Sequence, residues 1–296
     1  MRTLVVLALV LVACSPSPAD AWGFEAHRFV MDRAITLLPE PLRAFFEKHR
    51  SIAVERAIDP DTWRSAGWEA EPPNHFLDLD WEGYGKYPFK ELPRDLTAAI
   101  AKFGRSRIEQ NGTVPWRAEE YFGNLRRAFE SYHRRGAFAG FDIIFFGATL
   151  GHYVSDAHVP FHAVENYDGQ LTNQHGIHAR FEAIMFERYR AQLTIAPKPA
   201  QAVADVRNHL FDVLLEGTQL VPPILKSDLA AIGSRDVYDD AYYEAFFQAN
   251  QAVMERRLSE SITAVASVIV GAWHAAGAPP VPVSPPSTPQ RKRRPA

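Results

Sequence analysis

The sequence predicts an all-α chain folded as one multi-helix domain. Apolar residues recur at helical spacing in nearly every long segment. Alternating runs bounded by hairpin turns are scarce. Prolines punctuate the chain where helices would stop or start. Taken in order, the pattern predicts a helix over 25–37 that stops before Pro39, and one over 41–57 that opens at Pro41 and closes before Pro60. A helix over 94–110 follows Pro93, one over 116–135 follows Pro115, and one over 139–158 ends before Pro160. Further helices are expected over 175–192, over 199–217 before the pair Pro222-Pro223, and over 238–276. The stretch 59–93 reads as the longest irregular segment, dense in aromatic and acidic residues. Long loops in compact domains are commonly functional, which places this one over a site. No internal repeat is evident.

The start, M-R-T-L-V-V-L-A-L-V-L-V-A, pairs a basic residue with an apolar run too short to span a bilayer, the pattern of an export signal. Residues 1–21 are expected to be removed after Ala19-Asp20-Ala21, which would free Trp22 as the amino terminus. L-V-A-C, ending at Cys14, is the competing lipoprotein-type site. The protein is therefore expected outside the cytoplasm, periplasmic or secreted. Cys14 is the only cysteine, so a chain cut at Ala21 has no disulfide and would draw stability from packing and bound metal. Residues 22–277 form the expected domain, and 278–296, proline-rich and carrying Arg291, Lys292, Arg293 and Arg294, a disordered tail. The formal net charge of −3 resides in a body more acidic than the tail, which argues against bulk-charge tracking of nucleic-acid phosphates.

The most informative stretch is Gly151 to Glu182, which packs five of the eleven histidines among acidic residues. His152 and Asp156 are four residues apart, as are His178 and Glu182, so each pair would project from one helix face toward a common point. A histidine with a carboxylate one turn later is a natural clamp for zinc. His162, just past Pro160, adds a ligand from a turn. A salt-bridged solvated helix face is the plain alternative, but the apolar run I-I-F-F-G-A-T-L-G beside it fits metal better. Further candidates are Trp22 with His27, Asp61 with Asp59 as its rival, and His75 in N-H-F-L-D-L-D.

W-G-F-E-A-H-R-F-V-M-D-R-A-I, D-P-D, H-F-L-D-L-D, G-H-Y-V-S-D-x5-H and H-A-R-F-E, in that order over residues 22–182, resemble the zinc-dependent phospholipase C family and its relatives, the single-strand-specific zinc nucleases. The resemblance implies a helical domain built around a trinuclear zinc cluster. One zinc would be held by the free amine and carbonyl of Trp22, His27 and Asp156, and a second by Asp61, His75, His152 and the bridging Asp156. The third would be held by His162, His178 and Glu182. The chain is a mosaic of the two branches. The step from Trp22 to His27 is short, as in the nucleases, whereas H-x-x-x-E ending in Glu182 and the step from Asp61 to His75 resemble the phospholipases. Glu25 stands where one choline-binding residue would, but Thr62 replaces a tyrosine.

The resemblance implies an exported zinc phosphodiesterase, read first as a phospholipase C acting on phospholipid head groups, with peripheral membrane contact. The alternative is a single-strand nuclease, for which nucleic acid is the partner, and the third reading is a metal-stabilised binding protein without turnover. No obligate protein partner is evident. Zinc would both activate water and offset phosphoryl charge. Asp61 is the expected catalytic residue, orienting or deprotonating the attacking water. There is no G-x-S-x-G elbow or phosphate-cradling glycine loop to supply another mechanism. His158 and His175 match no ligand position and read first as surface histidines, with orienting a ligand by a hydrogen bond as the alternative. The aromatics Trp63, Trp68, Trp81, Tyr84, Tyr87 and Phe89 read as a lip for an acyl chain or a platform for a base, with core packing equal for the tryptophans.

Overall fold

A computed structural model of the protein describes residues 23–281 apart from Arg135 and Ala137. Trp22, the leader 1–21 and residues 282–296 lie outside the described residues. Among the described residues there is no strand, and the helices form a single bundle. The α-helices are α1 Phe24–Leu37, α2 Leu42–Lys48, α3 Arg50–Arg56, α4 Asp59–Ser65, α5 Leu96–Phe103, α6 Arg105–Asn111, α7 Val114–His133, α8 Ala139–Asp156, α9 Ile177–Ala179, α10 Met185–Tyr189, α11 Val206–Ile232 and α12 Asp240–Ala275.

Helix α8 forms the spine. From Gly147 through Val164 every residue is buried, and α1, α3, α7 and α12 pack around it. On α7 the residues turned inward are Val114, Ala118, Tyr121, Leu125 and Ala128, the three-and-four spacing of an amphipathic stripe. Asp95, Asp205 and Asp239 cap α5, α11 and α12 by accepting from the amides of Ala98, Asn208 and Tyr242. No helix among the described residues is long and apolar enough to cross a membrane.

Several expected boundaries move, each for a local reason. The helix expected over 41–57 is two, broken at His49, whose φ of −112° and ψ of 16° leave the helical region. The helix over 94–110 is broken at Gly104, where φ is +82°. The expected loop 59–93 begins with α4, because Pro60 sits in the first turn, where its missing N–H costs nothing. The helix expected over 199–217 is instead Val206–Ile232 and runs through Pro222 and Pro223. Both prolines face solvent while Val221 and Ile224 beside them are buried, so packing overrides the local penalty.

The segment before α11 is an extended strap. The amides of Thr194, Ala196, Lys198 and Gln201 donate to side chains of Glu255, Ser259, Thr263 and Ser267 at 2.8–3.1 Å. Four helical residues rise about 6 Å, close to the span of two residues in an extended proline-containing chain at about 3.1 Å each. Gly271 is required where the strap ends, since a Cβ there would lie 1.9 Å from the Val203 carbonyl oxygen. The body also continues past the expected boundary at 277: Val281 is buried, and the Trp273 indole donates to the Pro279 carbonyl at 2.8 Å.

Candidate metal centre

The C-terminal half of α8 carries His152 and Asp156 one turn apart on one face. The chain then turns at Val159 and Pro160, and His162 follows in the short 3-10 helix Pro160–Ala163. Residues 77–79 lie extended against that turn, with Leu77 and Leu79 donating to the His162 and Ala163 carbonyls at 2.9 and 3.1 Å. Asp78 donates to the Asn111 carbonyl at 2.7 Å. These bonds fix His75 next to His162. Helix α1 brings His27, and α4 brings Asp61. His178 lies in α9, and Glu182 in the π turn Arg180–Ile184 that continues it, a widening of the helix common at functional sites.

The eight expected ligands within the described residues converge, all at most 6% exposed. They form three groups that could each hold a metal ion: His27, His152 and Asp156; Asp61, His75 and His152; and His162, His178 and Glu182. Asp156 is the hub. Its carboxylate lies 3.3 Å from His27 Nε2, 2.9 Å from His75 Nδ1, 3.1 Å from His152 Nε2 and 3.8 Å from His162 Nδ1. Asp61 faces it across the cavity, 3.8 Å from His27 Nε2 and 3.6 Å from His75 Nδ1. Its rival Asp59 turns away to pair with Arg56 at 2.9 Å. Glu182 lies 3.0 Å from His178 Nε2 and 3.8 Å from His162 Nε2. The ninth expected ligand, Trp22, precedes Gly23, which packs against Ala183, the neighbour of Glu182, too closely to accept a Cβ.

The ring nitrogens are oriented for coordination. His152 Nδ1 donates to the Ala57 carbonyl at 2.8 Å, leaving Nε2 as the lone pair facing Asp156. His162 Nδ1 donates to the His75 carbonyl at 2.7 Å, leaving Nε2 toward Glu182. Burial holds His162 down to about 3 and His178 to about 4, and also lowers His27, so all three are neutral imidazoles near neutral pH. His75 departs from them. Burial alone would lower it, but contacts with Asp156 and Glu71 outweigh burial and raise it to about 9. Burial would also raise Asp156, yet the surrounding histidines hold it well below the ordinary carboxylate range. Surroundings that favour a proton on His75 and a charge on Asp156 favour a cation.

The bonding balance points the same way. Both ring nitrogens of His27 and of His178, and both carboxylate oxygens of Asp61, are buried without a hydrogen-bond partner among the described residues. Each such group costs about 1–3 kcal/mol when left unpaired. Three buried carboxyl groups, Asp61, Asp156 and Glu182, share the cavity, and a guanidinium reaches it from Arg64, 3.3 Å from Asp61. The donor set of imidazoles and carboxylates suits zinc. Stripping metal should therefore destabilise the fold. If each of three sites is half-saturated at a thousandth of the free metal concentration, each contributes about 4 kcal/mol. Chelation should then lower Tm by on the order of 20 °C, read by circular dichroism; an unchanged Tm would contradict metal in this cavity.

The sequence reading missed the layer behind the ligands. Glu71, 3% exposed, lies 3.6 Å from His75 Nε2 and accepts from the Tyr153 hydroxyl, with Arg117 at 3.5 Å. Burial would raise its carboxyl, but His75, Tyr153 and Arg117 outweigh that and hold it below its ordinary value. Glu71 thus orients His75 with Nδ1 toward the cavity. Its signal was its position four residues before His75, obscured by Pro72-Pro73 between them. Glu71→Ala should weaken metal binding about 10–100-fold, measured by competition with a chelating indicator; unchanged affinity would remove it from this role. On the far side, Arg180 donates to Asp228 at 3.2 Å and to Tyr242 at 3.0 Å, and Gln174 donates to Asp228 at 2.7 Å. That buried network anchors the start of α9 and the π turn, which carry His178 and Glu182. His158, expected at the surface, is 2% exposed, bonded to the Val154 carbonyl and lowered by burial, whereas His175 is exposed.

No family model matches this chain, and no curated protein matches it.

Proposed function

We propose that the protein is an exported zinc-dependent phosphodiesterase of the phospholipase C type, with the fold of that superfamily and three zinc ions per chain. The convergence of eight buried imidazole and carboxyl ligands into three groups around Asp156 carries this reading. Zinc bound there would acidify water and offset the charge developing on phosphoryl oxygens. His27, Asp61, His75, His152 and Asp156 would hold two ions, with the Trp22 terminus completing one of the sites, and His162, His178 and Glu182 would hold the third. Asp61 is suited to accept the proton of the attacking water at a carboxylate oxygen, because it is buried beside the cavity with neither oxygen engaged in a hydrogen bond. Arg64, one turn later on α4 and 19% exposed at its side chain, can face an anionic diester while steadying Asp61. Glu71 keeps His75 in place throughout.

Lipid is favoured over nucleic acid by the aromatic pair formed by Trp63 on α4 and Trp68 just beyond it. Trp63 and Trp68 stack on each other, ring centroids 5.3 Å apart and 10° from parallel, so the space between them is filled rather than open to a base. The test is hydrolysis of phosphatidylcholine and single-stranded DNA side by side by zinc-loaded protein beginning at Trp22, with a chelator control. Chelator-sensitive release of phosphocholine without DNA cleavage is expected. DNA cleavage alone would move the protein to the nuclease branch, and three bound zincs with neither activity would favour a binding protein.

A further inference from the structure

Helix α8 carries two kinds of residue on one face. A row begins with Phe138 at the N-cap and continues with Phe141, Phe145, Thr149, His152 and Asp156, whose helical steps of three and four line a single stripe. Its last two members are buried in the metal centre, whereas its first two are among the most exposed large apolar residues described: Phe138 is 77% exposed and Phe141 64%. Phe138 is also held at φ +65°, a left-handed conformation unfavourable for a bulky side chain.

The stripe continues sideways into the aromatics of α4. Phe145 lies 6.1 Å from Trp63, which stacks on Trp68, itself 56% exposed. Arg56 lies 5.8 Å over the Phe145 ring. Trp63 lies in α4, which also carries Asp61, and Phe145 lies in α8, which carries His152 and Asp156 at its inner end, so the ridge is built on two helices that also supply the metal centre.

We infer that this aromatic ridge is a docking surface for a phospholipid layer, seating its rings among head groups beside the metal centre; the inference rests on the phospholipase reading. Tryptophan with phenylalanine and flanking arginine is the composition that settles at a membrane interface. Arg56 and Arg134, with side chains 52% and 73% exposed, pair with Asp59 and Glu130 at 2.9 and 3.3 Å and would exchange those carboxylates for lipid phosphates. A second copy of the chain fits less well. The exposed parts of Phe138, Phe141 and Trp68 amount to on the order of 400 Å², against about 800 Å² per partner in a stable protein interface. With no described helix able to cross a membrane, such contact would be peripheral.

The test compares the full zinc-loaded protein with its Phe138→Ser/Phe141→Ser variant in sedimentation with phosphatidylcholine vesicles, with and without phosphatidylglycerol. Both proteins keep the basic tail, so tail binding cancels. The variant should lose vesicle partitioning about a hundredfold, and the blue shift of wild-type tryptophan emission on vesicles should shrink in Trp68→Phe. Hydrolysis of a short-chain, monomeric phosphatidylcholine should be unchanged in the double variant. Arg56→Glu, which leaves the rings in place, should weaken binding to anionic vesicles most. Equal sedimentation of wild type and double variant would overturn the inference, as would concentration-dependent dimerisation of the wild type that the double variant abolishes. Vesicle binding through the ridge without lipid hydrolysis would remove the phospholipase reading and leave the ridge; hydrolysis of monomeric lipid with ridge-independent vesicle binding would do the reverse.

Discussion

Asp156→Asn should empty two of the three proposed zinc positions and lower phosphodiester hydrolysis by on the order of 10⁴-fold. The carboxylate lies within 3.3 Å of nitrogens on His27, His75 and His152, which arrive from three separate segments of the chain. Asparagine keeps the shape of the side chain but offers one neutral oxygen in place of two anionic ones. It therefore cannot bridge two dications or balance their charge. Glu182 lies 3.0 and 3.8 Å from His178 and His162, and this group meets the Asp156 carboxylate only through the 3.8 Å approach of His162, so one zinc should remain. Metal analysis of the purified variant, beside its rate on a soluble diester, checks both halves. Retention of three zincs at full activity would remove Asp156 from the hub.

Asp61→Asn should separate catalysis from metal binding. Asp61 stands 3.6–4.0 Å from His27, His75 and His152, farther than Asp156 does, and Arg64 lies 3.3 Å from it. Losing its charge should leave most zinc bound through the remaining ligands while removing the proton acceptor for water. Turnover should fall by on the order of 10³-fold or more. Zinc content near the wild-type value with activity abolished is the expected pair of readings, and full activity would exclude Asp61 as the base.

Two pairs of candidate ligands were legible from spacing, because coordination demands specific residue types at specific helical steps. His152 and Asp156, and His178 and Glu182, could be read as pairs from spacing alone, since a helix turns residues four apart to one side. What spacing could not show was long-range bonding. Nothing local announces that Ala57 supplies the carbonyl that sets the His152 ring, or that Glu71 stands behind His75. Helices were legible where the apolar stripe was long, as in α1, α8 and α12. Boundaries failed where proline has two meanings: Pro60 opens α4, and Pro222 and Pro223 ride within α11 on its wet face. The strap over α12 carried no periodic signal, because its partners are hydroxyls and a carboxylate on a helix about sixty residues later in the chain. Its prolines, Pro197 and Pro199, were the one hint against a helix from 199.

The central claim, a phosphodiesterase centre filled by three zincs, is tested most directly by titrating zinc into chelator-stripped protein beginning at Trp22 while following phosphatidylcholine hydrolysis. Activity should be absent in the stripped protein, rise with added metal and saturate at three equivalents per chain. Hydrolysis by the stripped protein, or saturation at a single equivalent, would contradict the account.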